Sequence, residues 1–160
     1  KKNFNKETII GIPVWGDPSL YDSTLRIGEK VRKKIENSSL HMISGISSPH
    51  VLASSFGIPF NKIGEPVMIT TGRKLREDGW PKGVSTIFVM LDGDCSFANL
   101  DEPNLYIWWG AYLGLDRETL LEGKLEDTKN NIIELRQKLR KKFGWIMDIY
   151  KIQQITDKEI

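Results

Sequence analysis

Apolar and polar positions along the chain fall into blocks whose period changes from one block to the next. Thr8 to Trp15 (TIIGIPVW) is a short apolar run that stops at Gly16-Asp17-Pro18. A run of that length between turn residues predicts a buried strand of a parallel sheet. Pro13 cannot donate to a ladder, which places the run at an edge or a local distortion. Beyond it Leu20, Leu25, Ile27, Val31 and Ile35 recur at roughly helical spacing, predicting a helix from Tyr21 to Glu36 that Asn37-Ser38-Ser39 closes. Leu40 to Ile43 predicts a second strand. Ser48-Pro49 supplies a cap and a proline at the first helical position. Val51, Leu52, Ala53 and Phe56 give that helix an apolar face, and Gly57 stops it. Strand, helix, strand, helix is half of a doubly wound α/β domain.

After Ile58-Pro59-Phe60 the pattern is less regular. Val67 to Thr71 and Ser85 to Leu91 predict strands, separated by a polar loop from Arg73 to Gly83. Asn104 to Leu113 predicts a third strand, rich in aromatic residues. Leu120-Leu121 and Gly123-Lys124-Leu125 lead into a helix from about Asp127 to Phe143. Its apolar positions Ile132, Leu135, Leu139 and Phe143 step by three and four. Trp145 to Ile152 (WIMDIYKI) predicts the last strand. A boundary near 61–64 therefore divides the chain into an α/β region, 1–62, and a second α/β region, 63–160. No internal repeat or low-complexity segment interrupts either.

Charge and composition narrow the class. A formal net charge of +2 is too small to argue for nucleic acid as partner. The two denser basic runs, 31–34 and 138–142, lie at the ends of helical patterns, where cations complement the helix dipole. One cysteine, Cys95, excludes an internal disulfide, and no His/Cys cluster suggests a metal site. No apolar run approaches the length of a membrane helix, and Lys1 to Lys6 has no apolar segment of signal type behind it. A cytoplasmic protein with no membrane partner is the expectation.

Candidate chemistry sits at the ends of the predicted strands. Gly16-Asp17-Pro18 follows a strand and opens a helix, where backbone amides can meet a polar ligand, although Gly, Asp and Pro are also ordinary turn residues. Gly45-Ile46-Ser47-Ser48 lies at the carboxyl end of the next strand, where open α/β sheets bind ligands. Thr70-Thr71-Gly72-Arg73-Lys74-Leu75-Arg76 ends a strand in three cations, a loop suited to a polyanion or simply to solvent. In Met90-Leu91-Asp92-Gly93-Asp94 the two carboxylates can act as acid or base, or serve a turn. Trp108-Trp109-Gly110-Ala111-Tyr112 is a dense aromatic strand, suited to a core or to a flat macrocycle. His41 and His50 stand alone and are expected to be structural.

These residues resemble the tetrapyrrole (corrin/porphyrin) methylases. VWGDPSLYDSTLRI (14–27), SGISSPHVLASSFGIP (44–59), IGEPVMITTGRKL (63–75), VMLDGDCSF (89–97) and WWGAYLG (108–114) carry the resemblance, which covers about 8–152. GDPxxY and GISS are shared across the family, whereas YDSTLRI, EPVMITTGR and MLDGDCSF point to one branch. The resemblance implies a class III methyltransferase fold, two α/β domains with the ligand trough between them. It implies S-adenosyl-L-methionine as cofactor and a homodimer. The implied reaction is C-1 methylation of precorrin-5, a step of cobalamin biosynthesis that releases acetate.

Carried over residue by residue, the cofactor contacts are Gly16, Asp17, Tyr21, Ser47, Ser48, Met90, Leu91, Gly110 and Ala111. The family's Gly-Thr-Leu appears here as Gly123-Lys124-Leu125, with Lys124 a departure. Deacetylation requires a water and a base, for which Asp92, Asp94 and Asp17 are the candidates. Arg26, Arg73, Lys74 and Arg76 are expected to bind carboxylates of the tetrapyrrole substrate. The family also opens on a strand and a Gly-rich loop that nothing before Thr8 matches, so the first domain is expected to be incomplete. A sheet that lacks its first strands exposes an edge, which predicts association or marginal stability. Two other readings remain beside the first: a non-catalytic remnant that folds and dimerises, and a methylase for another corrin precursor.

Overall fold

The structure, a computed structural model, describes residues 8–155. The lysine-rich stretch from Lys1 to Lys6 lies outside the described residues. The chain divides into two compact units, one up to Ser47 and one from Ser48.

Among its described residues the first unit holds one helix, α1 (Thr24–Arg32). It is shorter than the pattern predicts, starting at Ser23 and ending in two turns around Arg32 to Ile35. Gly28 faces Leu40: a Cβ there would stand 3.1 Å from Leu40 Cδ1, so the glycine lets the two segments close up. The predicted strands 8–15 and 40–43 belong to no sheet among the described residues. Ile9 is 95% exposed and Ile43 88%. An apolar run becomes a strand only when a neighbouring strand takes up its backbone hydrogen bonds in a ladder, and the one sheet among the described residues includes neither run. The described residues of the first unit thus carry no sheet of their own.

The second unit is a three-layer arrangement around a mixed sheet of five strands. β1 (Val67–Thr71), β2 (Thr86–Met90), β3 (Leu105–Ala111), β4 (Thr119–Lys124) and β5 (Asp148–Gln154) pair in the order β1-β2-β5-β3-β4. β1 and β2 are parallel, and the other pairs are antiparallel. The three central strands are largely buried on both faces, which is why β2 and most of β3 read as continuous apolar runs. One face carries Ile87, Val89, Ile107, Trp109 and Ile152 beneath α4 (Leu125–Phe143), which contributes Leu125 and Ile132. The other face carries Phe88 and Ile149 beneath Leu52 of α2 (Ser48–Phe56). Gly57, at φ +64°, ends α2 with Ile58 N donating to Ala53 O and Gly57 N to Ser54 O.

Two elements depart from the pattern. The expected loop after β1 is a helix, α3 (Gly72–Asp78), capped by the extended Thr71, whose hydroxyl accepts from Lys74 N. One buried apolar residue, Leu75, anchors it, too few to show a period. Lys74 pairs with Asp78 at 3.4 Å on its outer side. The second departure is β4, an edge strand covering residues that the sequence shows only as a lead into α4.

Candidate functional site

In the first unit, the GDP and GISS loops are tied together by one carboxylate. Asp17 Oδ1 accepts from the amide of Ser19 at 2.8 Å and from the Ser19 hydroxyl, and Oδ2 accepts from the Gly45 amide at 2.9 Å. Those bonds, Ser19's first, hold the carboxyl below the ordinary aspartate range. Gly45 has no room for a side chain, because a Cβ would stand 2.2 Å from Gly16 O. Gly16 itself sits at φ +82°, a conformation that glycine adopts freely. Tyr21 follows in the left-handed region at φ +50°, with its ring half exposed. A shallow depression of about 430 Å³ lies along Pro13, Val14, Trp15 and Gly16. Ser47 is buried, and Ser48 opens α2 in the second unit. Arg26 lies on α1, with its Nη2 3.4 Å from Ser23 Oγ.

In the second unit, the residues after β2 form a tight loop. Met90 ends the strand. Leu91 follows at φ +53° with its side chain 67% exposed, and Cys95 is left-handed as well. Non-glycine residues in this region cost about 1–3 kcal/mol each unless the surroundings impose the conformation. Asp92 is the centre of those surroundings. Its carboxylate accepts from Tyr150 Oη at 2.6 Å, Ser96 N at 2.6 Å, Asp94 N at 3.2 Å and Arg76 Nη1 at 3.1 Å. Burial pushes the Asp92 carboxyl up, but the bonds from Tyr150 and Ser96 outweigh it and leave the group below its ordinary value. The same contact, with burial foremost, drives the Tyr150 phenol well above its usual range. Gly72 makes room for this acid, since a Cβ there would meet Asp92 Oδ1 at 2.2 Å.

The cations of α3 are partly committed to acids of the chain. Arg76 spans Asp92, Ser96 and, through Nη2 at 3.2 Å, Asp94. Lys74 lies 3.3 Å from Glu77, and Arg73 is the most exposed of the three, 3.9 Å from the same acid. Asp94 is largely exposed, unlike Asp92. Gly110 and Ala111 are buried in β3, with Gly110 pressed against Leu52 and Leu113. At Gly123, φ +156°, a Cβ would meet Thr128 Oγ1, and Lys124 is the residue before α4. His50 stacks on Phe60 at 4.7 Å.

Sequence reasoning missed the side chains that secure the loop from beneath. Arg136 on α4 is buried, pairs with Asp148 at 2.7 Å, and donates to the carbonyls of Asp92 and Gly93. Trp109 Nε1 donates to the same Asp148 at 3.0 Å. The signal was available: Arg136 falls four residues after Ile132 on the inward stripe of α4, and Asp148 interrupts an apolar strand. Among the described residues no group of three His, Cys, Asp or Glu side chains could hold a metal ion.

The GDP and GISS loops and the acidic turn after β2 all fall within a stretch that one family model matches. The chain belongs to the tetrapyrrole (corrin/porphyrin) methylases, whose family model matches residues 2–129. It is 43% identical over 157 residues to the precorrin-6A synthase [deacetylating] of a Sinorhizobium species, an alignment covering 98% of this chain and 60% of that protein. A crystal structure of a cobalamin synthesis related protein (CobF) from Corynebacterium diphtheriae superposes with a TM-score of 0.83 at 40% identity, over 89% of this chain and 60% of that one. Uroporphyrin-III C-methyltransferase from Thermus thermophilus, solved in complex with S-adenosylhomocysteine, matches with a TM-score of 0.56 at 16% identity. It covers 87% of this chain and 63% of that one, and at that identity it shows the fold alone. The chain thus spans about 60% of the length of the curated relative it matches.

Proposed function

We propose that the complete protein is an S-adenosyl-L-methionine-dependent C-methyltransferase of cobalamin biosynthesis that converts precorrin-5 to precorrin-6A. In that reaction C-1 gains the methyl group as the methyl–sulfur bond breaks to leave S-adenosylhomocysteine, and water cleaves the carbon–carbon bond to the acetyl group to give acetate. The observation that carries this reading is 43% identity, along nearly the whole chain, to a protein of that name. Methyl transfer requires alignment of two reactants more than side-chain chemistry, and the loops here are built for alignment. The cofactor supplies an electrophilic methyl group when bound. Its polar groups suit loops of backbone amides and carbonyls, and Gly16 and Gly45 let the two loops pack closely against each other.

In this reading Gly16, Tyr21, Ser47, Ser48, Met90, Leu91, Gly110 and Ala111 bind the cofactor. Asp17 orders the GDP and GISS loops. Asp94 moves the proton in deacetylation, because Asp92 already accepts from four donor residues. Arg26, Arg73, Lys74 and Arg76 bind substrate carboxylates, and among the three cations of α3 Arg73 is the most exposed. We assign residues 1–62 and 63–160 to the two domains of the complete enzyme, a cytoplasmic homodimer. The single cysteine agrees with a reducing compartment, and no helix among the described residues is long and apolar enough to cross a membrane.

Calorimetric titration with S-adenosylhomocysteine tests the reading, on this chain and on a chain of the relatives' full length. Saturable binding that Asp17→Ala abolishes is the expected result. A full-length protein that binds no S-adenosylhomocysteine would sink it.

A further inference from the structure

The loop after β2 contains two non-glycine residues in the left-handed region, Leu91 at φ +53° and Cys95 at φ +54°. A backbone of this kind reverts to ordinary angles unless something outside it prevents the change. Asp92 fixes the loop from within through its carboxylate, but a carboxylate alone leaves the peptide planes on either side free to turn. The carbonyls of Asp92 and Gly93 are held from elsewhere. Arg136 Nη2 donates to Asp92 O at 3.0 Å and Nη1 to Gly93 O at 3.2 Å. The guanidinium is aimed by Asp148, which accepts from Nε at 2.7 Å and from Nη2 at 3.3 Å. Asp148 is oriented in turn by Trp109 Nε1. Three elements, α4, β5 and β3, thus converge on two peptide carbonyls.

That expenditure is hard to explain as ordinary packing. A leucine at position 136 would fill the inward stripe of α4 without desolvating a charge, and buried ion pairs are often no more stabilising than apolar residues of similar volume. What an apolar residue cannot do is grip two consecutive carbonyls in a planar fork. We propose that Arg136, aimed by Asp148, is a positioning residue that locks the 90–95 loop in its left-handed form. Through that lock it presents Met90 and Leu91 to the cofactor. The cofactor half of the statement rests on the function proposed above.

Cys95 makes the lock measurable. It is the chain's only cysteine, it lies in the loop, and it is half-buried, with burial raising its thiol above the ordinary range. An aromatic disulfide reagent therefore reacts with it mainly when the loop opens. In Arg136→Lys the charge remains but the fork is lost, and in Arg136→Met only the volume remains. Both are expected to raise the rate of Cys95 modification about tenfold or more under conditions where circular dichroism reports a folded protein. Ile132→Ala, one turn away on the same helix, supplies the comparison: it destabilises α4 globally and leaves the loop-opening rate near that of the parent.

The same proteins, made at the relatives' full length, are titrated with S-adenosylhomocysteine. Faster Cys95 modification together with weaker binding in Arg136→Lys is the expected pair. An unchanged Cys95 rate in a folded Arg136→Lys protein overturns the proposal, as does a rise equalled by Ile132→Ala. A faster rate with unaltered affinity overturns its cofactor half. A parent that binds no S-adenosylhomocysteine, while Cys95 still responds to Arg136, upholds the lock and strikes at the methyltransferase reading instead.

Discussion

Lys151 stands in the middle of β5 with 2% of its surface exposed, an ammonium placed where the strand pattern calls for an apolar residue. Its Nζ donates to Pro59 O at 2.9 Å and lies 4.8 Å from the centre of the Trp108 ring. These contacts accommodate the charge without repaying its lost hydration. Burial, aided by the neighbouring charge of Lys62, lowers the amine from 10.5 to about 8. Between those two values the unfolded chain holds a proton that the folded chain has released, so folding stability rises with pH across that window. Below about 8 both states are protonated and the full penalty applies. Lys151→Met keeps the stem against Trp108 and removes the charge, and the carbonyl it frees belongs to an exposed proline that water can reach. Urea unfolding at neutral pH should show the variant to be more stable by about 1–3 kcal/mol, with the advantage shrinking toward pH 10. A constant difference from pH 7 to 10 would show that Lys151 is not strained in the fold.

Among the elements, α2 is the one whose docking depends on a single absent methyl group. Gly110 of β3 faces it, and a Cβ there would stand 2.7 Å from Leu52 Cδ1 and 2.7 Å from Leu113 Cδ2. Leu52 is fully buried and has no room to retreat. Gly110→Ala should therefore destabilise the protein by about 1–3 kcal/mol through overpacking. In Gly110→Ala/Leu52→Val the smaller side chain makes room, so the double variant should lose less than the sum of the two single losses in urea unfolding. Strict additivity would mean that α2 does not rest on Gly110. The sequence shows the elements of this unit well, because β2, β3 and β5 are covered on both faces and α4 has a clear apolar stripe. It hides α3, whose single buried leucine gives no period and whose alternating charges look like a loop. It hides β4 too, an edge strand whose residues are only partly buried on either face. The site was legible in part for a similar reason. Glycines and acids at strand ends mark the loops, but Arg136, Asp148 and Tyr150 lie far along the chain and meet Asp92 only after folding.

At the scale of the whole molecule, the two units differ in what holds them. From Ser48 onward the sheet supplies a continuous ladder and a core on each face. Among the described residues before Ser48 there is one nine-residue helix, a set of turns, and the Asp17 link between two loops. Helices of that length are marginal in water without tertiary packing, and Ile27 and Val31 of α1 are half exposed. Local opening should follow this division, with amide protection concentrated where buried apolar contact is dense. Hydrogen exchange on this chain should thus find β2, β3 and β5 protected close to the global limit and residues 8–15 and 40–43 exchanging rapidly. The apolar composition of those two runs, buried strands by pattern and exposed here, gives the same experiment a second use. On a chain of the relatives' full length the amides of Ile9, Ile10 and Ile43 should become protected, because the runs would then have strands to pair with. Their sequence would be explained by the complete enzyme, and the exposed isoleucines should drive concentration-dependent association of the shorter chain. Rapid exchange in the longer chain as well would show that these runs are not strands in either, and that their apolar pattern answers to some other surface.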